Sequence, residues 1–208
     1  MKRVLSVLMI SMLGAVPLAH ATSAPVAGKD YEVLKTQPSA PAKAGKVKVT
    51  EFFWYGCPHC AQFEPVLEAW AKQEGNKIEL TRVPVTMNSE LTPHSRMYYA
   101  MASLGAAERL MPTVFKAVGE GQMLLTPQAQ ADFLAPYGID KTQYLRAYNS
   151  MRVQNDVSHA AQLIRNDQIN GVPTVVVNGQ YETGPGYTNS LQGTVPVLNA
   201  LVDKAMHK

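Results

Sequence analysis

The order of apolar patterns in this 208-residue chain predicts an α/β fold in which a block of helices interrupts the strands. Three observations carry that prediction. A strand pattern, "KVKVTEFFW", runs directly into a helix that begins between the two cysteines. From Leu91 to about Gln168 there is almost no strand signal. Strand then returns at "TVVVN", followed by a turn dipeptide and a final amphipathic segment.

The elements follow in order. "MKRVLSVLMISMLGAVPLAHA" has a basic start (Lys2, Arg3), an apolar run from Val4 to Val16, and small residues around His20 at Ala19 and Ala21. This is the three-part pattern of a secretory signal, and cleavage is expected after Ala21. The alternative, a retained anchor, is disfavoured because the run is short for a hydrocarbon layer of ~30 Å. Residues 22–45, rich in Ala, Pro and Lys, read as a mobile leader with one short edge strand at Tyr31–Leu34. After the first core strand, Cys60, Phe63, Leu67, Trp70 and Glu74 recur at helical spacing. The helix should open at Pro58 and stop at Gly75, with a kink at Pro65. "KIELTRVPV" is the second strand. Five helical segments follow, punctuated by Thr126 with Pro127, by Asp140 with Gln143, and by Gly105 and Gly138. Asn178-Gly179 marks a hairpin leading into "QYETG". In "TVPVLNALVDKAM", Val195, Leu198, Leu201, Val202 and Ala205 form one apolar face.

Charge and cysteine usage narrow the function. Without Lys2 and Arg3, the 19 basic residues fall to 17 against 16 acids, a balance that argues against nucleic-acid binding. The two cysteines, Cys57 and Cys60, are three residues apart in "FFWYGCPHCAQFEP". A disulfide closing so short a loop removes little unfolded-state entropy, so a structural staple is a weak reading. A structural zinc site needs about four ligands, and His94, His159 and His207 have no ligand spacing around the pair. No metal and no cofactor is expected. Reversible redox chemistry remains.

The segments "EFFWYGCPHC" and, more than a hundred residues later, "NGVPTVVVNG" resemble the DsbA family of bacterial periplasmic disulfide oxidases, from about Lys46 to the C-terminus. The resemblance implies a thioredoxin-like fold with a helical insertion domain. The thioredoxin-like part would be 46–86 with 169–208, and the inserted helical domain 87–168. It also implies a catalytic Cys57–Cys60 disulfide and a cis proline at Pro173. The implied clients are unfolded or newly translocated cysteine-containing proteins in the periplasm. Reoxidation would come from a DsbB-type, quinone-linked oxidase of the inner membrane. A monomer is expected.

The residues supply a chemical rationale beside the resemblance. Cysteines at i and i+3 of a helix start lie on one face, within bonding reach. Cys57 meets the unpaired amides and positive end of the helix and should be the reactive sulfur; Cys60, one turn in, should be the buried resolving thiol. Pro58 suits the first turn, where its missing N–H is not needed. A helix end supplies ~0.3–1 kcal/mol, at most ~2. Bringing a thiol from ~8.5 to below ~5 takes more than ~4.7. His59, as an imidazolium, is the expected further contributor, the alternative being an exposed filler. A stabilised thiolate weakens the disulfide, a direction the DsbA resemblance equally implies. Pro173 after Val172 would leave the Val172 backbone free to pair with an extended client. Glu51 shares the strand face of Val47, Val49 and Phe53, so it is either a buried acid or a strand-end residue reaching water. In the family an acid here relays protons to the buried cysteine with a lysine partner. Arg82 is the nearest equivalent, in an open register. Trp54 and Tyr55 suit either a client surface or packing, and Met97–Met101 suits core. The competing functions are an isomerase or reductant on the same fold, and a non-enzymatic binding module. DsbC-type isomerases carry a sizeable N-terminal dimerisation domain, for which the leader has no room.

Overall fold

The structure, a computed structural model, describes residues 24–35, 45–86 and 89–207. The signal sequence with its cleavage site at Ala21, and residues 36–44 of the leader, lie outside the described residues.

Five strands form one sheet: β1 (Glu32–Val33), β2 (Val47–Phe53), β3 (Ile78–Pro84), β4 (Thr174–Val177) and β5 (Tyr181–Thr183). Their order is β1-β5-β4-β2-β3, with β2 parallel to β3 and every other pair antiparallel. Helix α1 (Pro58–Glu74) supplies the crossover between the parallel pair. Between β3 and β4 come α2 (Thr92–Ser103), α3 (Ala107–Gly119), α4 (Pro127–Leu134), α5 (Lys141–Tyr148) and α6 (Met151–Asn166). After β5, a short α7 (Pro185–Thr188) and then α8 (Thr194–Met206) close the chain. This is the thioredoxin-like sheet with a helical insertion.

Three apolar clusters explain the layering. On one sheet face Val47, Val49, Val175 and Val177 meet Phe63, Leu67 and Trp70 of α1 and Leu198, Leu201 and Val202 of α8. On the other, Phe52, Val83 and Val176 pack against Ala160 and Ile164 of α6. The third lies within the insertion and reaches Phe53, Tyr55 and Cys60, so the helical block and the redox pair share one core. Met97 and Met101 are fully buried there, as core rather than as a peptide surface.

Local signals act as their chemistry requires. Thr126 Oγ1 accepts from Ala129 N, and Asp140 Oδ1 from Gln143 N. Ser150, unread as a cap in the sequence, does the same for Val153 N at the start of α6. Pro65 sits inside α1 without ending it, and Gly75 caps the helix at φ 56°. Asn178 and Gly179 both take positive φ (54° and 63°), closing the turn before β5. Residues 24–35 are docked on the sheet: β1 pairs with β5, and buried Tyr31 receives a hydrogen bond from Lys204 Nζ at 3.1 Å.

Candidate active site

Cys57 is the N-cap of α1. Its φ and ψ (−91°, 112°) are extended, and its Sγ accepts from the Cys60 N–H at 3.4 Å. A sulfur therefore occupies the position where Ser, Thr or Asp oxygen ordinarily satisfies an orphan amide. Pro58 fills the first helical position. Both cysteines are free thiols; Cys60 is fully buried and Cys57 half-buried.

That environment lowers the Cys57 pKa from 9.0 to about 6. The leading cause is the hydrogen bond from the Cys60 thiol; burial opposes it, and the amides of Cys60 and His59 at the helix end add to it. The His59 charge also lowers it, but ranks last among these influences. His59 is exposed, so water screens its field. The imidazole thus has a smaller share than the sequence argument assigned it. Cys60 is pushed far upward by the hydrogen bond it gives to Cys57 and by burial, so it holds its proton throughout the neutral range.

Facing the pair is Val172–Pro173, whose peptide bond is cis. The Val172 carbonyl lies 3.5 Å from Cys57 Sγ and accepts from it when the thiol is protonated. Gly184 allows the end of β5 to press against this loop, since a Cβ there would sit 2.8 Å from the Pro173 carbonyl oxygen. Trp54 folds over Gly56, where a Cβ would lie 2.3 Å from the indole. The indole donates to His94 Nδ1 at 3.0 Å, and His94 Nε2 donates to the Met123 carbonyl at 2.7 Å. His94, which had no sequence signature, thereby ties the active-site turn to the insertion; burial keeps its pKa low and the ring neutral. Tyr55 is packing: it is buried edge-on against Phe53 and Phe115.

Glu51 is fully buried, and the parallel register sets Arg82 directly beside it. Arg82 Nε donates to Glu51 Oε2 at 3.1 Å, and Nη2 to Glu64 and Glu68, each at 2.8 Å; Nη1 bonds Glu108. One guanidinium therefore faces carboxylates from β2, α1 and α3. A single positive charge cannot balance them, and Glu51 Oε1 and Glu64 Oε2 have no hydrogen-bond partner among the described residues. Burial, then repulsion from Glu64, raises the Glu51 pKa from 4.5 to about 8 against the pull of Arg82. Glu51 accordingly keeps its proton near neutral pH; once ionised, its charge pushes the Cys60 thiol further up. Of the two sequence readings of Glu51, the buried acid is the one observed.

One groove opens at Cys57 and a second beside it, at His59 and the Val172–Pro173 loop. The larger, about 810 Å³, runs between α1 and α3 past Cys57, Pro58, Pro65 and Phe115. The other, about 470 Å³, extends from His59 and Pro173 toward Glu182 and Tyr187. No helix among the described residues is long and apolar enough to cross a membrane.

Residues 66–192 match the family described as DSBA-like thioredoxin domain. A thiol:disulfide interchange protein DsbA of Burkholderia cepacia is 51% identical over 210 aligned positions, spanning 100% of this chain and 99% of that protein. The protein of that name from Pseudomonas aeruginosa is 33% identical over 205 positions, spanning 98% of this chain and 97% of its own. Among solved structures, Pseudomonas aeruginosa DsbA superposes with a TM-score of 0.82 at 35% identity, covering 87% of this chain and 94% of that one. Reduced DsbA1 from Neisseria meningitidis gives 0.78 at 29% identity, covering 89% and 97%.

Proposed function

Because the chain belongs to the DsbA family and is a thiol–disulfide oxidoreductase, we propose that it donates the Cys57–Cys60 disulfide to newly secreted proteins in the periplasm. The observation that carries this reading is the sulfur cap on α1. The helix start and the Cys60 thiol favour Cys57 as an anion, which can exist only after the disulfide has been given away.

The transfer proceeds in two exchanges. A client thiolate attacks Cys57 Sγ, the Cys57–Cys60 bond breaks, and its electron pair leaves on Cys60. Cys60, which strongly prefers its protonated form, takes up a proton; Glu51, protonated near neutrality and electrostatically linked to Cys60, is the group that supplies it. The client's second thiolate then attacks its own sulfur in the mixed disulfide, and Cys57 leaves as a thiolate. The client has lost two electrons and two thiol protons. The protein has gained two electrons and the proton now on Cys60; one client proton restores Glu51 through solvent, and the other stays in solvent. Val172 and Pro173 are the client-binding residues: the Val172 backbone, beside Cys57, pairs with an extended segment irrespective of its side chains. His59 supports the thiolate from the exposed side, and Pro58 fixes the turn.

Export under the signal at residues 1–21, action as a monomer, and reoxidation by a DsbB-type quinone-linked oxidase of the inner membrane complete the reading. Equilibrating the Cys57–Cys60 pair against glutathione tests it. A pair clearly more oxidising than thioredoxin supports donation, and a potential near thioredoxin's would make the protein a reductant. Catalytic oxidation of a reduced client, sustained only when quinone-containing membranes are added, tests the partner.

A further inference from the structure

The smaller groove has a polar end that thiol exchange does not use. It begins at His59 and the Val172–Pro173 loop, beside Cys57, and ends at Glu182 and Tyr187. Tyr181 and Thr183 point into the core, so by the two-residue period of β5 Glu182 points to the groove side. Its carboxylate is half-buried and accepts one hydrogen bond, from Tyr187 Oη at 3.1 Å. Among the described residues no Lys or Arg forms an ion pair with it.

The fold would be better off without this charge. In the β1–β5 ladder Glu182 stands directly opposite Glu32. Like charges at such a position destabilise the pair. Asp167 adds to the same negative field. Lys48 acts on Asp167, but among the described residues no Lys or Arg pairs with Glu182, which leaves its charge poorly met at the end of a groove that starts at His59 and the Val172–Pro173 loop. No group of three or more metal-ligating side chains exists among the described residues to hold a metal ion there.

Resting on the client-oxidation reading above, we propose that Glu182 is a specificity residue: the groove favours cysteine-containing segments that carry a lysine or arginine near the reacting cysteine. The occupant is an extended peptide, held by backbone at Val172, whose basic side chain runs along the groove to the Glu182 carboxylate. Tyr187 fixes that carboxylate, and Glu32 strengthens its pull. Backbone pairing alone is indifferent to sequence, so this contact adds a preference to an otherwise general oxidant.

The test uses two-cysteine peptides in which Lys, Gln or Glu is placed in turn at each of several positions on either side of the first cysteine. The rate of oxidation by the oxidised protein is followed at low salt. At the position within reach, the Lys peptide should react about fivefold faster than the Glu peptide, the size expected for a partly buried ion pair. That ratio should shrink with added salt. In Glu182→Gln the ratio should collapse, and in Glu182→Lys it should invert. Because the readout is a ratio within one protein, a general change in activity drops out. Glu182→Gln also relieves the repulsion with Glu32, so it should fold at least as stably as the parent. A ratio unchanged in Glu182→Lys, or the same for Lys and Glu peptides at every position, would overturn the proposal. So would a preference abolished by a chelator, which would make the occupant a metal ion. If no peptide is oxidised at all, the client-oxidation reading fails first, and the selectivity falls with it.

Discussion

Titrating Cys57 should change the stability of the reduced protein and leave the oxidised protein untouched. The folded-state pKa is lowered from 9.0 to about 6, and each unit corresponds to ~1.36 kcal/mol. The full difference would approach ~4 kcal/mol, but Cys57 is half-exposed and solvent screening cuts it, to roughly half. This stabilisation is fully present above the unfolded-state value of 9.0. It shrinks as pH falls and disappears below about 6. Near pH 7 roughly a third of it remains, by the same linkage. Against it stands the disulfide of the oxidised form, which closes a four-residue loop for ~2 kcal/mol in the chain-entropy estimate, independent of pH. The two are close, so the slope with pH is the discriminating quantity. Paired melting scans with and without reductant, from pH 5 to 9, should show the reduced form gaining on the oxidised one by ~4–8 °C. Glu51 titrates in the same window, but it is present in both forms and cancels to first order. A gap that stays flat, or one that moves toward the oxidised form as pH rises, would refute the assignment of Cys57 as a stabilised thiolate.

Two further outcomes follow from the same geometry. In the reduced protein at pH 6, iodoacetamide should label Cys57 and spare Cys60, and peptide mapping that finds equal labelling would reverse the roles. Both His59→Ser and Cys60→Ala should raise the Cys57 pKa, with the larger rise in Cys60→Ala, because the buried hydrogen bond outranks the exposed imidazolium; thiolate absorbance reads the order. For the buried cluster, Arg82→Met should cost ~3–5 kcal/mol by leaving Glu64 without its counter-charge and Glu51 without its hydrogen bond. The Glu51 pKa is raised, so the protein loses stability as pH climbs from 4.5 toward 8. Glu51→Gln should shrink that loss, with Glu64 supplying what remains, and denaturant melts at both ends of the range would detect it.

The redox pair was legible because its signals are local. Cys-Pro-His-Cys carries its own helix start, with Pro58 in the first turn, and Cys60 falls on the face that Phe63 and Leu67 bury. The helical insertion was legible for the same reason: Thr126 and Asp140 announce helices through atoms within three residues. Strand alignment is not local. Whether Arg82 would reach Glu51 depended on a parallel register set by α1 and two sheet faces, and only the folded chain brings Glu64, Glu68 and Glu108 to the same guanidinium. The Trp54–His94 bond spans forty residues and had no periodicity to betray it. "PGYT" carries no assignment in the sequence reading, yet it folds as α7, where Tyr187 donates to Glu182. The charge of His59 can be read from sequence, whereas its exposure is set by the fold.

The two-residue strand β1 has a consequence out of proportion to its length. By pairing with β5 it occupies backbone groups that would otherwise form a bare strand edge, the usual template for unwanted pairing between chains. A protein that captures extended clients through their backbones would, with such an edge uncovered, offer them a second berth remote from Cys57. Clients held there would compete with productive capture and would bridge one copy to another. Residues 31–33, anchored through Tyr31 and Lys204, thus act as a blunting device against self-association, and a tag or truncation that lifts them should be judged by turbidity in the presence of unfolded protein as well as by catalytic rate.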